Sequence, residues 1–215
     1  MIYNIFRIIG LVTGYPAQLI FFKRRTFYED GAKKKNYKGG KLIIMNHFSI
    51  VDYIMTSFIV FPRKLVAVSA EFPFKYAIAR FGMKFFGTIQ CNRVTRSMRF
   101  MDEAAAAVKE GNLVQIFPEG QNTPDGKIHE FKKSYLVIAY RANAPIIPMV
   151  TDGNYHLFKR ASVIIGKEID VSEFFTPGRR TPTREELEKA NEYVFNKILE
   201  LREELERRKK GEING

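Results

Sequence analysis

The stretch Leu42-Ile43-Ile44-Met45-Asn46-His47-Phe48-Ser49-Ile50-Val51-Asp52 decides how the chain folds. Its first four residues are apolar without a break, the pattern of a strand buried on both faces. Asn46 and His47 end that run. Ser49 is a good helix N-cap, and Ile50 to Val60 reads as an apolar, packed helix. A second apolar run, Leu113 to Phe117, ends in Pro118-Glu119-Gly120. Outward from these two, Lys64–Val68, Gly87–Cys91, Pro145–Val150 and Ser162–Ile165 also read as strands. Helical patterns lie between them over Phe74–Phe86, Ser97–Glu110 and Ser134–Asn143. The Ser97 helix puts Met98, Met101, Ala105 and Val108 on one face, and Gly111 fits its C-terminal stop. Strands alternating with helices predict a single α/β domain, its mostly parallel or mixed sheet flanked by helices. Strand ends are where such folds place their chemistry.

The bulk composition bounds the partners. A hydrophobic content of 46% over 215 residues excludes a disordered chain and suits one domain with an extension at either end. The formal charge of +12 and pI near 9.7 point to a polyanionic partner: nucleic acid, an anionic bilayer or a phosphorylated substrate. The single cysteine, Cys91, excludes an internal disulfide framework and a cysteine-rich zinc site, and fits a reducing compartment. It reads as a buried structural thiol, because no adjacent histidine would activate it.

Residues Ile2 to Phe22 are mostly apolar, with Arg7 as the only charge, and Lys23-Arg24-Arg25 follows at once. Spanning a bilayer takes about 20 uninterrupted apolar residues. Arg7, Gly10, Gly14 and Pro16 interrupt this run, and Pro16 is expected to break or kink a helix. A membrane-binding helical element lying in one leaflet is therefore expected over a span or a buried helix pair, with the basic residues at lipid phosphates on the cytoplasmic side. Gly31 to Lys41, with five lysines, reads as an exposed basic turn. At the other end, Thr183 and Glu186 form a T-x-x-E capping box. Leu187, Ala190, Val194, Ile198, Leu201 and Leu205 follow at helical spacing. That amphipathic C-terminal helix is expected to dock on the domain rather than form a coiled coil, with Arg207–Lys210 fraying. The expected division is residues 1–30, a membrane-associating segment; 31–175, the α/β domain; and 176–215, the C-terminal helix and tail.

His47 and Asp52 are five residues apart, about 500° on a regular helix, so they cannot share one helical face. They can meet if His47 lies in the turn and Asp52 is the third helical residue after a Ser49 cap. Two readings then fit. Asp52 is only a capping acid, or it also accepts a hydrogen bond from His47 Nδ1 and leaves Nε2 as a base. No serine or cysteine sits beside His47 in a nucleophile-elbow pattern. A base without an enzyme nucleophile points to attack by a substrate hydroxyl, with Ser49 the weaker choice of nucleophile.

Asn46-His47-x4-Asp52, with Phe117-Pro118-Glu119-Gly120 downstream, resembles the glycerolipid acyltransferases of the PlsC type. Gly87-Thr88-Ile89-Gln90-Cys91-Asn92-Arg93 resembles their block ending in a phosphate-binding arginine, and Ile146-Ile147-Pro148 their fourth, apolar-proline block. All four occur in order between Lys41 and Asp170. The resemblance implies transfer of a fatty acyl group from acyl-coenzyme A or acyl carrier protein to a lysophospholipid hydroxyl, above all that of 1-acyl-sn-glycerol 3-phosphate. It implies His47 as general base and Asp52 as its orienting acid. Arg93, Glu119, Gly120 and Lys132 would bind the acceptor, with Asn46, Ser49, Pro118 and Pro148 shaping the site. Glu119 is expected to hold a hydroxyl or to brace Arg93 or a loop amide, since an acid facing a phosphate is unfavourable. Amides at the helix start after His47, or in the Glu119–Gln121 turn, are expected to face the developing oxyanion. The expected partners are membrane lipids, an anionic bilayer surface and, as one possible donor, acyl carrier protein. No metal or bound cofactor is expected, and no nucleic acid. Gln121-Asn122-Thr123 and Ser134 depart from the family pattern in the acceptor region. Other lipid acceptors, or a catalytically silent lipid-binding protein, are the competing expectations.

His129 and His156 read as surface-loop residues. No H-x-x-x-H or comparable spacing supports a metal site built from His47, Asp52, Glu119 and His129.

Overall fold

Leu42, Ile43, Ile44 and Met45 lose all contact with water, and they do so on alternate faces of one sheet. The structure, a computed structural model, describes residues 2–32, 37–70, 87–91, 98–123, 125–155 and 160–211. In chain order its elements are α1 (Ile2–Phe22), β1 (Arg25–Tyr28), β2 (Lys41–Met45), α2 (Ile50–Ile59), β3 (Leu65–Ala70) and β4 (Ile89–Cys91). There follow α3 (Arg99–Lys109), β5 (Leu113–Ile116), α4 (Ser134–Ala142), β6 (Ile146–Thr151), β7 (Ser162–Ile165), a 3-10 turn (Ser172–Phe174) and α5 (Arg184–Lys209). The sheet order is β1-β7-β6-β2-β5-β3-β4. Neighbours run parallel except β6 and β7, so the sheet is mixed.

Strand alternation builds two cores. Leu42 and Ile44 join Val114, Ile116, Met101, Tyr135, Ile138 and Ile198 on the face covered by α3, α4 and α5. Ile43 and Met45 join Ile147, Met149, Tyr53 and Met55 on the α2 face. Burying each such aliphatic side chain is worth about 1.5–3 kcal/mol, which is why the unbroken apolar run lies at the centre of the sheet.

The connections place the site. From β2 the chain crosses one face through α2 to β3, on the far side of β5. From β5 it crosses the other face through α4 to β6, on the far side of β2. The two crossovers diverge at the β2–β5 pair, which makes the C-terminal ends of those strands the topological switch point where open α/β sheets bind ligands.

Several expectations change. Arg25–Tyr28, placed by sequence in the membrane-associating segment, is a sheet strand parallel to β7. Its half-buried edge position gives it no apolar run to read. Lys41, expected in an exposed basic turn, is a buried residue of β2 whose ammonium pairs with Glu168, and Tyr37 of the same stretch is buried too. Pro16 lies within α1 instead of breaking it. Pro16 and Val12, whose carbonyl the proline cannot bond, are both on the exposed side, where water can take the missing bond. Met98 is exposed because it caps α3 rather than lying on its buried face. The end of α5 does not fray: Arg208 is buried and pairs with Glu204 and Asp30. The expected helix Phe74–Phe86 lies outside the described residues. No described helix is long and apolar enough to cross a membrane.

Candidate active site

Asn46 and His47 leave the end of β2, and Ser49 starts α2. The Ser49 hydroxyl accepts from the α2 backbone, and Asp52, the third helical residue, answers the Ser49 amide, a complete capping box. Asp52 is fully buried. Its Oδ2 accepts from the amides of Phe48 (2.7 Å) and Ser49 (2.8 Å) and lies 2.9 Å from His47 Nδ1. Both readings of the pair therefore hold at once: the carboxylate that caps the helix also orients the imidazole. With Nδ1–H donating to Asp52, Nε2 carries the lone pair. The His47 side chain remains 18% exposed, so the ring is held but not sealed.

β5 supplies the second wall. Phe117 stacks on His47, with centroids 3.8 Å apart and planes 13° from parallel. Glu119 is buried beneath the histidine, not turned toward an acceptor. Its Oε1 accepts from the His47 amide at 3.0 Å, and its Oε2 accepts from the His129 amide at 2.9 Å. The Thr123 hydroxyl lies 3.1 Å from Oε2, and the Thr123 amide donates to the His47 carbonyl at 2.7 Å. Glu119 thus braces the His47 and His129 amides, bracing a loop amide being one of the roles expected for it. Thr123, a departure from the family pattern, belongs to the same support.

The helix-start amides expected to face an oxyanion are already committed. Phe48 and Ser49 donate to Asp52, and Val51 donates to the Ser49 hydroxyl. The Gly120 amide closes its own turn on the Phe117 carbonyl. Gly120 has φ +70°, a conformation that favours glycine, and the Lys132 side chain lies across the turn, its Nζ 2.8 Å from where a Cβ would be. The Lys132 amide ties back to the Pro118 carbonyl at 2.9 Å.

β6 supplies the third wall. Asn46 donates to the Thr151 carbonyl (3.0 Å) and accepts from the Thr151 amide (2.9 Å), extending the β2–β6 pairing past the strand end. Pro148 lies deeper in the sheet, paired with Ile44. Beyond Thr151 the chain turns at Gly153 (φ +67°), where a Cβ would come 2.5 Å from the Phe48 ring. That turn brings the Tyr155 hydroxyl to Asp52 Oδ1, where it donates, and to within 3.1 Å of Thr151 Oγ1. Burial, and then the Asp52 charge, push the Tyr155 hydroxyl well above its ordinary pKa, so it keeps its proton.

The structure thus gathers His47, Asp52, Glu119, Gly120 and Lys132 at one strand end, while Arg93 lies outside the described residues. Phe117 as a ring partner, Thr123 and Tyr155 were not anticipated. Phe117 stood in a quoted motif, but Tyr155 carries no local signal. His129 is an outer-loop residue, its ring 2.9 Å from Asp125, whose carboxyl is held below its ordinary pKa by the Lys127 amide and by His129. His156 lies outside the described residues. Cys91 is partly exposed at the core margin. Among the described residues no group of three or more histidine, cysteine or acidic side chains could hold a metal ion.

An oriented imidazole at a strand end, whose Nε2 carries the lone pair, can take a proton from a substrate hydroxyl. The acyltransferase family model matches residues 23–152, which contain His47, Asp52, Glu119 and the strands β2, β5 and β6 that carry the walls. The chain belongs to the acyltransferase family. It is 28% identical over 191 residues to a 1-acyl-sn-glycerol-3-phosphate acyltransferase of Cocos nucifera, covering 86% of this chain and 59% of that acyltransferase. It is 32% identical over 123 residues to a putative enzyme of the same name from Caenorhabditis elegans, covering 56% and 43%. The chain therefore spans about half the length of the curated relatives it matches. The crystal structure of the 1-acyl-sn-glycerophosphate acyltransferase PlsC of Thermotoga maritima superposes with a TM-score of 0.65 at 21% identity, over 91% of this chain and 79% of that one. That acyltransferase shares the α/β fold described above.

Proposed function

We propose that this chain transfers a fatty acyl group from an acyl thioester to the free hydroxyl of a lysophospholipid, 1-acyl-sn-glycerol 3-phosphate before others, giving phosphatidic acid for phospholipid synthesis. The observation that carries the proposal is His47 Nδ1 at 2.9 Å from a buried, amide-held Asp52 carboxylate, which leaves Nε2 as the base. The names of the sequence relatives support the acceptor.

In this mechanism His47 Nε2 removes the acceptor hydroxyl proton as the oxygen attacks the thioester carbonyl. The tetrahedral intermediate collapses with loss of the thiolate, which takes the proton back from His47. Asp52 stabilises the transient imidazolium without taking its proton. Lys132, and Arg93 from the family pattern, supply the charge for the acceptor phosphate. The donor is acyl-coenzyme A or acyl carrier protein, both anionic, in keeping with the formal charge of +12. No resident metal or cofactor enters these steps. The exposed apolar side chains of α1 (Ile5, Ile8, Ile9, Val12 and Ile20), followed by Lys23 to Arg25, support attachment to the cytoplasmic face of a membrane.

The test is an acceptor panel of lysophosphatidic acid and neutral or zwitterionic lysolipids, each with acyl-coenzyme A and acyl carrier protein donors. Lysophosphatidic acid is expected to be acylated fastest. His47→Ala is expected to lose about 10²–10⁴-fold in kcat with its fold intact. Undiminished turnover by that variant would remove the base assignment, and preference for a neutral lysolipid would remove the acceptor.

A further inference from the structure

The Asp52 carboxylate has two oxygens, and only Oδ2 faces the histidine and the helix start. Oδ1 is equally buried, and a buried anionic oxygen without a donor is costly. Tyr155 fills that position from the loop after β6, 103 residues away. Its loop is itself fixed. Asp152 Oδ1 accepts from the Asn154 amide (3.1 Å) and the Ser162 amide (3.0 Å), and Lys209 of α5 lies 3.1 Å from the other Asp152 oxygen. Arg202 of α5 donates to the Thr151 carbonyl at 2.9 Å. Phe48, next to His47, packs against Gly153 in the same loop.

We propose that Tyr155 is a positioning residue of the active site, the third member of a Tyr155–Asp52–His47 chain. Its hydroxyl fixes the rotation of the Asp52 carboxylate and draws off part of its charge, which tunes the basicity of His47. This rests on His47 being the base. Because the tyrosine keeps its proton, it acts as a fixed donor throughout the cycle and exchanges no proton with substrate. Among the described residues, the charged groups facing the chain are Glu119 from the β5 loop, Lys132 across the Gly120 turn, Asp152 from the Tyr155 loop, and Arg202 and Lys209 from α5. None of the last four is bonded to His47 or Asp52, so the hydroxyl of Tyr155 is the group whose removal changes the carboxylate most directly.

Removing the hydroxyl leaves more charge on Asp52, and that charge favours the imidazolium. In Tyr155→Phe the Asp52 carboxylate also loses the donor that fixes its rotation, and for that loss of positioning kcat is expected to fall about 10–100-fold, with the acceptor KM within about threefold. The limb of the kcat/KM profile that reports His47 is expected to move to higher pH. The assay uses the full chain with palmitoyl-coenzyme A and oleoyl lysophosphatidic acid in mixed micelles. A thermal melt with circular dichroism checks folding. If Tyr155→Phe does not fold, fluorotyrosine at position 155 decides the matter, because it keeps the ring and strengthens the donor. It is expected to move the His47 limb to lower pH. A role in packing alone would leave the limb in place for both variants, and that result would overturn the proposal. His47→Ala in the same assay separates the two claims. If it is inactive while Tyr155→Phe behaves as the parent, only the positioning role fails. If His47→Ala is active, the base assignment fails with it.

Discussion

The two terminal helices are built in opposite senses. α5 buries Ala190, Val194, Ile198, Leu201 and Leu205 in the core shared with α3 and α4, and the one charge it buries, Arg208, is paired with Glu204 and Asp30. α1 buries Arg7, Leu11 and Gln18 and exposes Ile5, Ile8, Ile9, Val12 and Ile20, the last 69% accessible. Arg7 reaches across to the Arg63 carbonyl at 3.4 Å, and burial lowers its guanidinium pKa. α5 also carries acids in its first turn and bases in its last, matching the helix dipole, whereas α1 carries neither. The difference teaches that a helix is held by water on one side of this molecule only. α5 is a finished part of the core. α1 leaves an apolar stripe that water does not favour, which is the physical basis for placing it against a bilayer in the proposed function.

The comparison can be tested from both ends. The largest effect is expected for Ile198→Ala in α5, about 2–5 kcal/mol of lost stability by chemical denaturation, because the side chain is fully buried and a cavity remains. A loss below about 1 kcal/mol would mean that α5 is not part of the core. Thr183→Ala removes the α5 cap that accepts from Glu186 N at 3.2 Å, with an expected loss of about 1 kcal/mol. The smallest effect on stability is expected for the double substitution Ile9→Ser and Val12→Ser on the exposed stripe of α1, within about 0.5 kcal/mol of the parent. What moves there is vesicle flotation: the double variant should no longer float with liposomes containing phosphatidylglycerol. Equal flotation of parent and variant would remove the contrast between the helices.

The legible parts of the molecule were those written locally. The run Leu42–Met45 announced a central strand because burial on both faces requires apolar residues at every position. The Ser49 cap and the five-residue spacing of His47 and Asp52 announced the pair, since a helix start imposes its geometry over a few residues. The α5 stripe was legible for the same reason. Arg25–Tyr28 was not, because an edge strand half-buried against β7 needs no apolar run, and its arginine reads as membrane-proximal charge. Glu119 stood in a motif, and bracing a loop amide was among its expected roles, but only the folded loop shows which amides its two oxygens hold, those of His47 and His129.

By itself, the sequence determined the α/β class, the strand that carries His47, and the capped turn that brings Asp52 to it, because each is set by periodicity and hydrogen bonding within a short segment. The tertiary structure alone decided what surrounds that pair. β6 lies beside β2 through register pairs more than a hundred residues apart, and this is what delivers Tyr155 to the far oxygen of Asp52. It also decided which side of α1 faces outward. Pairing order and docking face are settled by total burial over the whole chain, and no local pattern carries that sum.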